Sequence, residues 1–585
     1  MDRTSLLVEH ARIVDGEAGG RVEIGTASGS GWTKSGPGTV AVAEFANYEG
    51  GVTVSGGVLE LASQAVFQGT VTTSSSGTLC LLSGVGLDLS KVAGTKRVSA
   101  GGTIDADPLT VSSGVFTVLS GASIQATTVK VTGGTLSVVD GAPYAEVEKL
   151  TLSGGTISFK ETTTLPCPID LTGSATVTAA SPSADAEPVV GTLSGAVSAA
   201  NATNKAKLSV TGSNGGIVQM AGGASFPKSN TELFVSSSGI LEIVSNVVSF
   251  ASYAGLEGEG KKILVKDGGT LRQTSGYLFI GSSSSTTSVV EVAAGGLLAN
   301  ASGGGVYLGV NGAFGRLVVS GGEVSLSGAG TFQCGYTTVP SGTPGKGEIV
   351  LSGGVLKAGR SLGIYSSSAL AFDGGTLEFS GTYTSWFYGN FTMAVSVGAN
   401  GGLLKTDGHD VGFRPCTIAG SGRLTVSGGG TVTFAGESPD WTGGILADGA
   451  NLKAVNGLSF GTGSIGLASG ASVDLGGNTV TAAGLFGAGT VKNGTLIASG
   501  PLTMTVGDMI VFNAATLDVT DSSLVATNPE DFGNRRWFAV RTSNGGAVTG
   551  ATSLSHNLPQ KNARVDVTAA GIVADPCLGL LLLVR

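Results

Sequence analysis

One alternation of apolar and polar positions recurs along this chain, and it predicts short β-strands. In LTLSGGTISF (residues 150–159), a polar threonine separates Leu150 from Leu152, and after two glycines a serine separates Ile157 from Phe159. Side chains in a strand point alternately to opposite faces, so each half of this segment has one apolar and one polar face. We therefore predict two short strands that meet at a glycine corner, each with one buried face.

The same pattern returns along the chain. Its clearest copies are VTVSGGVLEL (52–61), VKVTGGTLSV (129–138), LTLSGGTISF (150–159), ILVKDGGTLRQ (263–273), LVVSGGEVSL (317–326), IVLSGGVLKA (349–358), LAFDGGTLEF (370–379) and LTVSGGGTVTF (424–434). From residue 268 to residue 428, glycine pairs follow one another at intervals of 27, 26, 32, 21, 27 and 27 residues. An interval of that length, with two or three short strands, suits one coil of a solenoid that buries its apolar face against neighbouring coils. The pattern predicts an all-β protein built as a β-solenoid.

A hairpin architecture is the alternative on pattern alone. Two alternating runs separated by Gly-Gly also fit a β-hairpin, and hairpins in series would form a sandwich or a propeller. A meander places turn signals every 8–12 residues, whereas the strong signal here returns at about twice that spacing. The spacing favours the solenoid.

Residues 34–61, KSGPGTVAVAEFANYEGGVTVSGGVLEL, resemble the autotransporter-associated β-strand repeat, whose pattern is K-x-G-x-G-T-L, an apolar strand, and Y-x-G-G-x-T-x-x-x-G-x-L. The matching residues are Lys34, Gly36, Gly38, Thr39, Val40, Tyr48, Gly50, Gly51, Thr53, Gly57 and Leu59. A second copy spans residues 424–452. It matches at Gly428, Gly430, Thr431, Val432, Trp441, Gly443, Gly444, Gly449 and Leu452, with Trp in place of Tyr and without the lysine.

The resemblance implies a right-handed parallel β-helix that forms the exported passenger region of a Gram-negative surface protein. The close matches cover about a fifth of the chain. Autotransporters of this family end in a membrane β-barrel, which needs many strands of about 10 residues, and only 60 residues follow position 525 here. The resemblance therefore supports the passenger fold and leaves the export route open.

Composition and charge exclude several other classes of protein. Glycine accounts for 99 of the 585 residues and charged residues for 12%, which suits short strands joined by glycine turns. The net charge is −9 and basic residues cluster no further than local pairs, so we expect no nucleic-acid partner. No apolar run approaches the roughly 20 residues of a transmembrane helix. The cysteines are widely spaced, and we expect them to be small buried residues rather than metal ligands or disulfides: Cys80, Cys167, Cys334, Cys416 and Cys577.

The N-terminal segment MDRTSLLVEHARIVDG does not resemble a signal peptide, because its apolar stretch is shorter than the roughly 7–15 residues of an h-region. We expect an extracellular or outer-membrane-associated protein, with this chain as the C-terminal part of a longer exported one or with a misplaced start.

Two acidic clusters are the candidates for catalysis. Asp105 and Asp107 would share one strand face. The other cluster consists of Asp407, His409, Asp410 and Arg414. Carboxylates that converge with basic groups are what acid–base chemistry on a sugar requires. Because histidines and acids are sparse, a solvated loop is the favoured interpretation of both clusters.

The remaining candidates concern ligands and aromatic residues. No phosphate loop, zinc helix or calcium-loop motif occurs, so we expect neither cofactor nor metal. Four aromatic residues would stack inside the solenoid or, if exposed, bind sugar rings, and we favour the interior: Tyr48, Phe379, Phe434 and Trp441.

The sequence favours a non-enzymatic surface or secreted protein, a passenger-like stalk or adhesin that binds unspecified glycans or proteins. The alternative is a polysaccharide-degrading β-helix enzyme, a lyase or glycosidase. We expect a monomeric rod with a repetitive β-helix over residues 1–525 and a C-terminal cap or tail over residues 526–585. Residues 532–540 and 571–584 would supply strands that cover the last coil, with Trp537 packed on it. A sorting or membrane tail is the alternative for the leucines near the C-terminus.

Overall fold

Parallel strands stacked from coil to coil form the described chain, which is a β-solenoid, as the sequence predicts. The computed structural model describes residues 6–14, 20–45, 51–61, 71–73, 77–81, 92–93, 96–98, 103–104, 108–112, 114–121, 123–124, 126–141, 143–257, 261–282, 287–300, 303–327, 330–337, 342–533 and 535–576. The chain forms two units, Met1–Val290 and Glu291–Arg585.

Three main sheets contain most strands of the first unit. The first sheet contains Leu6–Val14, Arg21–Ser35, Thr39–Phe45, Gly51–Val54, Gly57–Leu61, Val71–Thr73, Gly77–Leu81, Val92–Ala93, Lys96–Val98, Val115–Val118, Thr135–Val138, Thr156–Phe159, Ala175–Ala180, Ala206–Ser213, Thr231–Ser236, Tyr253–Glu257 and Tyr277–Ser282. The second contains Leu109–Val111, Thr128–Val131, Lys149–Leu152, Ile169–Leu171, Val197–Ser198, Ala224–Phe226, Val247–Phe250 and Thr270–Gln273. The third contains Thr163–Leu165, Val190–Leu193, Ile217–Met220, Ile240–Ile243, Lys262–Val265 and Thr287–Val292. Thr103–Ile104 pairs with Ser123–Ile124, and Tyr144–Glu146 is a 3-10 turn.

A coil of the first unit visits the three sheets in turn. Ala206–Ser213, Ile217–Met220 and Ala224–Phe226 form one coil, and each strand pairs in parallel with a strand of the next coil. Equivalent residues stack in register, so that Leu208 lies beside Leu233 and their side chains are both buried. Stacking in register places aliphatic side chains in columns inside the solenoid, where each coil shields the next from water.

The glycine pairs make corners rather than hairpins. Lys262–Val265 and Thr270–Gln273, on either side of the pair Gly268-Gly269, lie in different sheets and pair with the preceding coil. Gly268 has a φ of 71°, in the left-handed region that favours glycine. Gly269 makes a close approach, since a Cβ atom there would lie 2.2 Å from the carbonyl oxygen of Ile243 in the coil beneath. The hairpin alternative is therefore wrong at this corner.

Four sheets contain the strands of the second unit. Its first sheet contains Gly305–Val310, Phe332–Tyr336, Leu362–Ile364 and Phe387–Gly389. The second contains Leu297–Asn300, Glu323–Leu326, Val355–Ala358, Thr376–Phe379, Gly402–Lys405, Leu424–Ser427, Ile445–Asp448, Ile465–Leu467, Leu485–Gly487, Leu502–Met504, Ser523–Ala526 and Ser555–His556. The third contains Phe314–Val319, Lys346–Leu351, Ala369–Phe372, Met393–Val397 and Cys416–Ala419. The fourth contains Val411–Phe413, Thr431–Phe434, Asn451–Ala454, Ser472–Asp474, Thr479–Ala482, Gly489–Ala498, Ile510–Asp518, Trp537–Ser543, Ala547–Thr549, Arg564–Thr568 and Gly571–Asp575, and Pro529–Asp531 is a 3-10 turn.

The coils of the second unit change in the sheets to which their strands belong. Up to Cys416–Ala419 a coil includes a strand of the third sheet, and after it every described strand belongs to the second or the fourth sheet. Asn451–Ala454, Ser472–Asp474 and Gly489–Ala498 are successive members of the fourth sheet, separated by strands of the second. A later coil can contribute two segments to the fourth sheet, since Ser472–Asp474 and Thr479–Ala482 both pair with Gly489–Ala498.

The parallel stack ends in antiparallel strands. Trp537–Ser543 pairs in parallel with Ile510–Asp518, and Gly571–Asp575 then pairs antiparallel with Trp537–Ser543. Trp537 is buried, and its indole N–H donates to the carbonyl oxygen of Asp508 at 2.7 Å. These strands lie where the sequence predicts a cap. The division at residue 525 stays a prediction, and residues 577–584 lie outside the described residues.

Candidate binding surfaces

The acidic cluster predicted around His409 is engaged in local structure. It lies in and beside the turn between Gly402–Lys405 and Val411–Phe413. Asp407 Oδ1 lies 3.2 Å from Lys405 Nζ, and Asp410 Oδ1 accepts a hydrogen bond of 2.8 Å from the Thr431 amide.

The other two side chains of that cluster are those of Arg414 and His409. Arg414 Nε donates to the Thr384 carbonyl oxygen at 3.0 Å, and His409 is half-buried in the turn. The two carboxylates thus hold the turn and the next coil in place. Among the described residues no three metal-ligating side chains come together. The other candidates, Asp105 and Asp107, lie outside the described residues.

Lys34, in the first repeat copy, is buried and joins two coils. Its Nζ donates to the carbonyl oxygens of Gly36 at 2.9 Å and of Gly56, in the following coil, at 3.1 Å. Gly57 must lack a side chain, because a Cβ atom there would lie 2.2 Å from the Gly38 carbonyl oxygen and 2.8 Å from Lys34 Nζ. These repeat residues meet around one cation in the interior. Gly51 begins a strand, and Tyr48 and Gly50 lie outside the described residues.

The second repeat copy places its tryptophan in a similar closing position. Trp441 is buried and its indole N–H donates to the Gly422 carbonyl oxygen at 3.1 Å. A Cβ atom at Gly443 would lie 1.8 Å from the same oxygen. Gly444 and Gly449 have φ values of 82° and 68°, in the left-handed region. These residues therefore close a coil and do not present a ligand surface.

The second unit contains a row of aromatic rings in its interior. Phe379, Trp386, Phe413, Phe434 and Phe460 are all buried. Centroids of successive rings are 5.4, 6.2, 5.7 and 5.8 Å apart. The interior position favoured from the sequence is thus confirmed for Phe379 and Phe434, and these rings are closed to sugars.

The first unit has an outward-facing aromatic cluster that the sequence analysis missed. Tyr253 and Tyr277 are neighbours on adjacent strands, with ring centroids 5.6 Å apart, and Phe279 lies 6.0 Å from both. The tyrosines are 38% and 39% exposed. Gly255 leaves room for the rings, since a Cβ atom there would lie 3.1 Å from Phe279 Cβ. The sequence signal is weak, because apolar residues occupy both sets of alternating positions in Tyr277–Ser282.

The second unit has a comparable tyrosine cluster. The rings of Tyr365 and Tyr388 lie edge to face at 6.3 Å, and those of Tyr307 and Tyr336 lie 4.7 Å apart. Tyr388 covers Gly363 of the preceding coil, where a Cβ atom would lie 2.9 Å from its ring. Burial raises the pKa of Tyr365, and the neighbouring Tyr388 raises it further. Tyr388 is 37% exposed and Tyr307 is buried, so only part of the cluster is open to solvent.

A groove on the second unit combines a cation, an aromatic ring and hydroxyl groups. Its volume is about 390 Å³. The Arg423 guanidinium lies over the Phe486 ring, 4.8 Å from the centroid. The hydroxyl groups along the groove belong to Ser464, Thr503, Thr505 and Thr527. The groove has no signature in the sequence, because its residues come from coils as far apart as Arg423 and Thr527.

No protein-family profile matches this chain. The described residues include no helix of the length and apolar character that crossing a membrane requires. The chain is similar to the adhesin BmaC autotransporter of Brucella suis biovar 1 (strain 1330), with 28% identity over 188 residues. The match covers 32% of this chain and 5% of that much longer protein. The chain is thus a β-solenoid with a partial similarity to an autotransporter adhesin.

Proposed function

We propose that this chain is a passenger-like part of a cell-surface or secreted adhesin and has no enzymatic role. The observation that carries the proposal is its similarity over 188 residues to an autotransporter adhesin. The β-solenoid supports it, because stacked coils present long outward faces whose side chains vary without disturbing the core. The segments at residues 34–61 and 424–452 would be copies of the autotransporter-associated β-strand repeat.

The local environment of the acidic cluster supports a binding protein over a polysaccharide-degrading enzyme. Asp407 and Asp410 contact a lysine and a backbone amide rather than each other. Retaining glycosidases place two carboxyl groups about 5 Å apart, facing the scissile bond. The proposal assigns these two residues a structural role.

Surface labelling of the native host tests the proposal. Intact cells are treated with protease, and the chain is followed by antibody in cells and medium. We expect it to be cleaved on intact cells or found in the medium, while a cytoplasmic marker stays protected. A chain that is protected until the cells are lysed would contradict surface display.

A turnover assay tests the non-enzymatic part separately. The purified chain is incubated with acidic and neutral polysaccharides, and new reducing ends or unsaturated products are measured. We expect none above the blank. Turnover abolished by Asp407→Asn or Asp410→Asn would establish the enzyme instead.

A further inference from the structure

The groove at Arg423 carries an accessible positive charge on a rigid base. Arg423 is exposed, and its guanidinium lies over the Phe486 ring. In the part of the chain that the structure describes, no carboxylate is paired with it. A guanidinium held over an aromatic ring keeps its N–H edges available for a planar anion.

The sheet is shaped to hold Phe486 in that position. Phe486 projects outward from Leu485–Gly487, and Gly466 is its partner in the preceding coil. A Cβ atom at Gly466 would lie 2.1 Å from Phe486 Cζ, so the ring lies over the glycine. Gly466 therefore lets the ring lie close to the sheet with the arginine on top, and any larger residue would displace both.

Hydroxyl groups from successive coils continue the groove beyond the cation. Thr503 is the partner of Phe486 in the next coil. Thr505 and Thr527 face each other across two coils, with 3.3 Å between their Oγ1 atoms. Such hydroxyls both donate and accept hydrogen bonds, as the hydroxyl groups of a sugar do. Arg423 is the one charged residue among the described residues that line the groove.

We propose that this groove binds a carboxylate-bearing sugar of an acidic glycan, with the carboxylate on Arg423 and the sugar hydroxyls on the threonines. A volume of about 390 Å³ is within the range of small-molecule clefts. The guanidinium of Arg423 is suited to a planar carboxylate, which can accept two parallel N–H hydrogen bonds from it. The inference rests on the proposed function in that it names a ligand class for the adhesin.

Calorimetric titration of the purified full chain tests the proposal without depending on where the cell displays it. The probes are sialyllactose and a hyaluronan tetrasaccharide, which carry carboxylates from two sugar types. Their controls are lactose and the carboxyl-reduced tetrasaccharide. We expect at least one acidic probe to bind, its neutral counterpart to bind about tenfold more weakly or not at all, and its affinity to fall with added salt. The stronger of the two acidic probes identifies the sugar type.

The chain offers a matched control for the arginine. Arg541 is exposed and lies 4.3 Å from the centroid of Phe538, so it forms the same pair outside the groove. We expect Arg423→Gln to weaken binding about tenfold and Arg541→Gln to change it by less than about twofold. Both positions are exposed, and unchanged circular dichroism would verify that each variant folds. Thr503→Val should weaken binding of the acidic sugar and so report on the hydroxyl contacts.

Four results would overturn the proposal. They are no binding of either acidic probe, equal binding of an acidic probe and its neutral counterpart, equal losses in the two arginine variants, and equal or tighter binding of a tetraglutamate peptide. The last result would identify an acidic peptide as the partner. None of them bears on surface display, so a failure here is distinguishable from failure of the proposed function.

Discussion

The two glycines of a Gly-Gly corner perform different tasks at the scale of single residues. Gly268 supplies a positive φ of 71°, and the nearest atom to its missing Cβ is the Ser245 Cα at 3.6 Å. Gly269 has its missing Cβ 2.2 Å from the Ile243 carbonyl oxygen. The first glycine is therefore required by the backbone conformation of the turn, and the second by the close approach of two successive coils.

Alanine substitutions at the two positions distinguish the cost of the backbone conformation from the cost of the close approach. We expect Gly268→Ala to lower the free energy of unfolding by about 1 kcal/mol, the cost of a left-handed conformation. Gly269→Ala should cost about 3 kcal/mol, because two coils must move apart to admit the methyl group. Urea unfolding followed by circular dichroism measures both. Gly215→Ala is the control for the cost of the left-handed conformation alone, because Gly215 has a φ of 80° and no atom within 4 Å of the position of its missing Cβ. Equal losses at positions 268 and 269 would contradict the close-approach argument.

The described cysteines behave as small core residues, which confirms that expectation for three of the five. Cys167, Cys334 and Cys416 are buried and free. Burial raises the pKa of Cys167 and Cys334 to about 12, and it raises the pKa of Cys416 as well. The side chains of Cys80 and Cys577 lie outside the described residues. Because the thiolate is the reactive form, the three buried thiols should be inert near neutral pH.

Thiol titration tests this in a variant with Cys80→Ser and Cys577→Ser. We expect no reaction with Ellman's reagent at pH 8 in the folded state and three thiols per chain in denaturant. Unfolded thiols ionise near about pH 8.5, whereas burial raises the pKa of Cys167 and Cys334 to about 12 and raises the pKa of Cys416 as well, so unfolding releases protons above about pH 8.5. The free energy of unfolding should accordingly keep its full value below about pH 8.5 with respect to these thiols. Above that pH it should fall by about 1.4 kcal/mol per pH unit per thiol. Rapid labelling of the native variant would contradict the burial of these residues.

At the scale of elements, polar side chains on outward faces connect strands of successive coils. Thr192 Oγ1 donates to Gln219 Oε1 at 3.1 Å, and Gln219 Nε2 donates to Glu242 Oε2 at 2.7 Å. Lys266 Nζ then lies 2.7 Å from Glu242 Oε1. Four coils are joined in this row, and a shift of one residue in any strand would break it.

The members of that row should contribute unequally. The Glu242 side chain is 5% exposed, and that of Lys266 is 41% exposed. We expect Glu242→Ala to lower the free energy of unfolding by about 2 kcal/mol, because it leaves a partly buried amide without its acceptor. Lys266→Ala should cost less than about 1 kcal/mol, as exposed ion pairs do. Denaturant unfolding of both variants measures the two losses in the free energy of unfolding. A larger loss for Lys266→Ala than for Glu242→Ala would contradict the prediction.

The sequence predicts elements well where alternation and glycine corners are strong. The halves of LTLSGGTISF form Lys149–Leu152 and Thr156–Phe159, as expected. Thr163–Leu165 has no such signature, so the pattern left open whether a coil has two strands or three. In YLFIGS (Tyr277–Ser282) both sets of alternating positions are apolar, which hides the outward face that Tyr277 and Phe279 occupy. The groove was unpredictable for another reason, because register alone brings Gly466, Phe486 and Thr503 together.

At the scale of the whole molecule, a stack of coils must protect the edge at which it ends. Ile510–Asp518 is covered by Trp537–Ser543 and Ala547–Thr549, both parallel to it. Gly571–Asp575 then pairs antiparallel with Trp537–Ser543, and Arg564–Thr568 pairs antiparallel with Gly571–Asp575 at the outer edge of the sheet. The antiparallel pair covers the backbone edge of Trp537–Ser543, which would otherwise be open to pairing with another chain.

Deletion of residues 532–585 tests whether this end is a cap. We expect the shortened chain to aggregate, because the backbone groups of Ile510–Asp518 would be exposed along with the apolar side chains beneath Trp537. Light scattering and size-exclusion chromatography measure the effect. Trp537→Ala in the full chain is the matched variant, and it should stay monomeric while losing about 3 kcal/mol of stability, since it removes packing and keeps the covering strands. A shortened chain that stays monomeric and equally heat-stable would refute the cap, and loss of cell attachment in that chain would identify the C-terminal segment as an anchor.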